Sequence, residues 1–162
     1  MKSVWSRYND LGMARIAEVD LKGNLKQADI VLGGTALGRP YTSGAFSVGG
    51  KDRIAYTLGR DDRPADLALM RSGKSSLQLT DLNSDLMGQR EMSRVERMVW
   101  PSSHDGLEIE GWVMKPPGFD PGKQYPMILE IHGGPHSAYG PNYSTEAQLF
   151  AAAGHVVLHT NP

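Results

Sequence analysis

No cysteine occurs anywhere in the chain, so disulfides and thiolate chemistry are excluded, and little is said about compartment. Long apolar runs are missing as well: nothing approaches the roughly 18 residues needed to span a bilayer. The opening residues, MKSVWSRYND, lack the apolar core of a secretory signal. Localisation therefore stays open between cytoplasm and periplasm. Nor is there an excess of charge of one sign. Seventeen Lys and Arg stand against 18 Asp and Glu, a net charge of −1, and the signs are mixed. With no basic face, nucleic acid is a poor partner, and no membrane partner is expected. What the sequence does have is glycine, 19 residues in 162, mostly between short apolar runs. That spacing suits many tight turns more than long helices. The length allows one domain with a real core, or pieces of two.

Residues 1–34 read as short strands, Val4–Tyr8, Ala14–Val19 and Ala28–Leu32, broken at Asn9–Gly12 and Asp20–Gly23. Residues 42–80 repeat the arrangement more fully, with Gly44–Val48, Arg53–Leu58, Asp66–Met70 and Ser76–Thr80. Gly, Asp and Asn at each break make this an all-β hairpin pattern. Four strands in about 40 residues is the size of one propeller blade, and the earlier strands would belong to the blade before it. Leu82–Glu91 is polar and irregular, a linker. Glu96–Trp100 and Leu107–Met114 then alternate on either side of Asp105-Gly106, a strong hairpin signal.

The chemistry concentrates in Tyr125–Tyr139, YPMILEIHGGPHSAY. Met127–Ile131 is nearly continuous in apolar residues, as expected of a strand buried on both faces of a parallel sheet. It stops at His132-Gly133-Gly134-Pro135. Two glycines let the backbone turn sharply and approach a bound group, and Pro135 keeps Gly134 out of the right-handed helical region. A helix follows over Ser144–Ala153, with Ser144 as N-cap, Glu146 at the positive end of the dipole and Gly154 at C′. His155–Thr160 is a further strand. Strand, glycine turn and helix in this order is how an α/β-hydrolase aims a backbone N–H at a developing oxyanion.

HGGP followed by His136-Ser137 and Tyr139-Gly140 resembles the acylaminoacyl-peptidase and dipeptidyl-peptidase branch of the prolyl oligopeptidase family, serine peptidases joining a β-propeller to an α/β-hydrolase domain. GRDDRPADLALM with LQLTDLN is similar to the last propeller blade of that family, and Gly111-Trp112-Val113-Met114-Lys115-Pro116 to the phrase that opens its hydrolase sheet. The resemblance is specific over residues 42–162 and loose before them. It implies a mixed fold: last blades of a β-propeller over 1–81, a linker over 82–93, and the N-terminal part of an α/β-hydrolase domain over 94–162. The implied site is the oxyanion loop His132, Gly133, Gly134 and Pro135, with Gly134 as backbone donor and His132 fixing the loop. His132 stands where other branches carry Tyr, which argues against the prolyl oligopeptidase and dipeptidyl-peptidase-four branches.

Other motifs give way to plainer readings. Ala45-Phe46-Ser47-Val48-Gly49 approximates a nucleophile elbow, but it precedes the oxyanion loop and leads into another strand. Gly33–Pro40 has phosphate-loop spacing, yet Arg39 replaces the lysine, Pro40 replaces the magnesium-holding hydroxyl, and no helix follows. The pairs His132/His136 and His155/His159 cannot share a metal: glycine and proline break the first turn, and a strand separates the second pair by roughly 13 Å. Trp5, Trp100 and Trp112 read as core or inter-domain packing.

The expectation is a piece of a serine peptidase that hydrolyses oligopeptides by acyl-enzyme chemistry, without a cofactor or metal. The Ser, His and Asp of the triad are expected beyond residue 162, leaving this chain inactive alone. Homo-oligomerisation of a longer parent stays open. The alternatives are a carboxylesterase using the same loop, weakened by the upstream propeller, and a non-catalytic propeller binding module. Two lobes are expected, with a boundary between Leu82 and Arg94 and few contacts across it.

Overall fold

A computed structural model describes residues 3–50, 53–71, 75–134 and 136–161. Two β-sheets account for most of it. The first begins with an antiparallel meander of β1 (Ser3–Asp10), β2 (Met13–Asp20) and β3 (Leu25–Leu32). Leu11 and Gly12 between β1 and β2 both have positive φ, 47° and 68°, as a two-residue hairpin turn demands. A second meander follows: β4 (Phe46–Gly49), β5 (Arg53–Leu58), β6 (Asp66–Arg71) and β7 (Leu77–Gln78). A single residue pair, Leu32 with Leu58, joins the two meanders. There Gly33 and Gly59 lie so close that a methyl group on either would strike the other's backbone.

Alternation places Ala14, Ile16, Ile30, Leu32, Ile54, Tyr56, Ala68 and Met70 in one core. Asp66 is buried and accepts from the Thr80 hydroxyl at 2.8 Å, the Leu82 N–H at 3.0 Å and Gln78 Nε2 at 3.2 Å. These bonds satisfy a buried carboxylate and fasten short β7, which has only two paired residues, onto β6.

The second sheet has the order β10-β11-β9-β8. Its strands are β8 (Val95–Pro101), β9 (Glu108–Met114), β10 (Met127–Ile131) and β11 (Val156–Asn161). β10 and β11 run parallel and are linked by helix α2 (Thr145–Ala152), while β9 pairs antiparallel with both β8 and β11. Ser144 caps α2 by accepting from the Ala147 N–H at 3.1 Å, and Gly154 takes φ +90° just past its end. Met114 and Val157 pack against Ala147 and Ala151.

Three expectations need correction. β10 is not buried on both faces. Met127, Leu129 and Ile131 are exposed, at 61%, 48% and 64%, because β10 is an edge strand and α2 covers only the other face. Within the linker, Ser84–Met87 forms one short helical turn, α1. Contacts between the sheets are also far from few. Residues 34–43 form an arm whose polar backbone finds partners in 138–145. Thr42 donates to the Ala138 carbonyl at 2.8 Å, Gly140 to Pro40 at 3.0 Å and Thr145 to Leu37 at 2.8 Å. The Ser144 hydroxyl donates to the Gly38 carbonyl at 2.7 Å. Buried Gln148 of α2 both accepts from and donates to the backbone of Ser93, at 3.0 and 2.9 Å. Gly12 meets the Trp112 ring with no room for a side chain, so Trp112 does pack between the sheets.

Candidate functional site

The glycine loop leaves the C-terminal end of β10. Gly133 and Gly134 are exposed, His132 is half-buried, and Pro135 lies outside the described residues. Gly134 has φ +151°, and a Cβ there would sit 2.9 Å from the His136 nitrogen and 3.0 Å from that of Ser137. Only glycine fits a turn this tight. Among the described residues, the amides of Gly133 and Gly134 have no hydrogen-bond acceptor. Exposed, unpaired N–H groups on a constrained turn are what an incoming anionic oxygen needs.

Behind the loop stands an aromatic column. His132 lies 3.0 Å from the Gly133 carbonyl through Nδ1 and meets the Tyr139 ring edge-on, centroids 5.3 Å apart. Tyr139 is fully buried, with His159 edge-on at 5.2 Å and Tyr41 tilted at 5.0 Å. Burial, reinforced by the positive Arg39, pushes the His159 pKa down to about 4, so the ring is neutral. Burial also raises the Tyr139 phenol. Arg39, in the arm, pairs with Glu146 of α2 at 3.1 Å and lies 3.8 Å from Glu130 of β10.

The structure thus brings His132, Gly133 and Gly134 together on one exposed turn. It leaves Ser47 elsewhere: on β4, paired with Ala55 of β5, in a strand with no helix after it. No serine hydroxyl is hydrogen-bonded to a histidine among the described residues. They also hold no cluster of three or more residues able to bind a metal ion. None of their helices is long and apolar enough to cross a membrane. The sequence offers Tyr139 only as part of the motif and Arg39 only within a rejected phosphate loop, and it assigns neither of them, nor Asn161, a role at this turn. Glu130 was the available signal for Arg39, because a carboxylate in an apolar strand run asks for a cationic partner.

No family model matches the chain. The uncharacterized peptidase YuxL of Bacillus subtilis (strain 168) is 37% identical over 106 residues, 65% of this chain and 16% of that protein. Dipeptidyl-peptidase 5 of Arthroderma otae is 44% identical over 57 residues, 34% of this chain and 8% of that one. The solved structure of Pyrococcus horikoshii acylaminoacyl peptidase superposes with a TM-score of 0.78 at 26% identity, covering 99% of this chain and 23% of that chain. The chain resembles peptidases of the prolyl oligopeptidase family in sequence and in fold. Porphyromonas gingivalis dipeptidyl peptidase 4, at 22% identity and a TM-score of 0.69 over 98% of this chain, shares the fold. The chain spans about a sixth of the length of YuxL and about a quarter of the solved peptidases.

Proposed function

We propose that this chain joins the end of a β-propeller to the first part of an α/β-hydrolase domain in a serine peptidase that cleaves oligopeptides. In this reading the Gly134 N–H is one of the donors to the oxyanion. The serine Oγ attacks the scissile carbonyl carbon while histidine takes the serine proton, and the carbonyl oxygen becomes the oxyanion that Gly134 binds. Collapse of the tetrahedral intermediate expels the amine, which takes its proton from the histidine, and leaves the acyl-enzyme for water. Serine, histidine and the orienting aspartate come from the rest of the peptidase. His132 fixes the loop and does not act as base.

One observation carries the reading: the loop follows the third strand of a sheet, precedes the first helix of a parallel strand–helix–strand unit, and holds Gly134 where only glycine fits. In the peptidase carrying this segment, Gly134→Val is expected to lower kcat by about 10²–10³ and to change KM little. Gly38→Ala is the control, since a Cβ at Gly38 meets nothing. An unchanged kcat in Gly134→Val, or an equal loss in the control, would overturn the assignment.

A further inference from the structure

Asn161, the last residue of β11, turns its side-chain amide onto the backbone of a single residue. Its Oδ1 accepts from the Tyr139 N–H at 2.8 Å, and its Nδ2 donates to the Tyr139 carbonyl at 3.0 Å. A carboxamide can do both because it carries an acceptor and two donors, and the pairing copies the two-bond exchange between antiparallel strands. Tyr139 is gripped from its other side too. Tyr41 forms a β-bridge with it, and the flanking Ala138 and Gly140 bond to Thr42 and Pro40.

The gripped residue is the one that His132 packs on. The loop therefore starts at a histidine resting on the Tyr139 ring and ends at the Tyr139 backbone, with Gly134 between. Asn161 is only half-buried, and its polar atoms are spent on this clasp. The hydrogen bond from β11 to this segment is thus made by a side chain, one residue beyond the last parallel pair of β10 with β11, Ile131 with Thr160.

Resting on the reading of Gly134 as an oxyanion donor, we propose that Asn161 is a positioning residue for that donor. Its two-bond clasp on Tyr139 sets where the Gly134 N–H points. A loop displaced by about 1 Å can cost on the order of 10² in rate, and that loss falls on the transition state, which alone carries the oxyanion.

The test uses the peptidase carrying this segment, with Gly134→Val measured alongside. Asn161→Leu removes both bonds and is expected to lower kcat roughly 10–100-fold with KM within about twofold. Affinity for an alkyl boronic acid, whose serine adduct places an oxygen in the hole, should fall in step. Asn161→Asp keeps the shape and guards against a leucine variant that fails to fold. Ionised, it accepts from the Tyr139 N–H but faces the Tyr139 carbonyl without a donor; protonated, it regains the donor. The ratio of its kcat to that of wild type should therefore rise as pH falls through the carboxylate range, roughly pH 6 to 4. A slow Gly134→Val beside Asn161 variants of normal kcat and boronate affinity would overturn the proposal and leave the loop assignment standing. Normal rates in both would overturn the loop assignment itself.

Discussion

His159 carries a prediction of its own at the scale of single residues. It is buried on β11 between Tyr139 and the reach of Arg39, and its pKa falls from an ordinary 6.5 to about 4. Burial is the larger cause, the Arg39 charge adds to it, and Glu146 opposes it weakly. Above pH 6.5 folded and unfolded chains both hold the ring neutral, so it contributes no pH dependence. Between about 6.5 and 4 the unfolded chain takes up a proton that the folded chain refuses, and stability drops as pH falls. Denaturant unfolding across this window should show that decline in wild type and a shallower one in His159→Phe. Equal slopes would mean that His159 is protonated in the fold. The glycines of the loop were legible in the sequence because a residue with no Cβ advertises a tight turn. Arg39 was not, since the arm carrying it showed no periodic pattern. Its partners lie 91 and 107 residues further along, at Glu130 and Glu146.

Elements were easier to read than their surroundings. Most strands fall on an apolar or alternating run with glycine, proline or aspartate close to at least one end, and the α2 cap at Ser144 forms as its sequence suggests. The error lay in β10. An apolar run cannot say how many of its faces are covered, because coverage depends on strands and helices from elsewhere in the chain. Here Ile128 and Glu130 share a face with Val157 and His159, which α2 and the arm shield, while Met127, Leu129 and Ile131 face outward. Such a row invites association and dye binding. Leu129→Lys should lower binding of a hydrophobic fluorescent dye by the isolated chain and leave its unfolding midpoint nearly unchanged. Undiminished dye binding, or a large loss of stability, would show that this face is covered in solution.

Across the whole molecule, the order of elements was visible in the sequence, and the tightness of their union was not. A propeller end and a hydrolase start suggest two lobes on a linker. The structure ties them by the arm over 34–43, by Gln148 on Ser93, by Trp112 on Gly12, and by Arg94, which pairs with Asp61 at 2.6 Å and Asp62 at 3.0 Å. Backbone bonds, a buried amide, ring packing and ion pairs between residues far apart in sequence are ties that a linker reading of polar residues does not reveal. The two sheets should accordingly open together. Native-state hydrogen exchange is expected to give the protected amides of β2 and β9 the same opening free energy and the same denaturant dependence. Separate values would restore the picture of independent lobes.

The central claim is that the Gly134 amide receives the oxyanion of acyl transfer. Its most direct measurement is a structure of the peptidase carrying this segment with a boronic acid bound covalently to its serine. The expected result is a boronate oxygen about 2.7–3.1 Å from the Gly134 nitrogen, with the Asn161 clasp on Tyr139 intact. An adduct whose oxygen is held by other donors, with Gly134 turned away beyond hydrogen-bond reach, would contradict it.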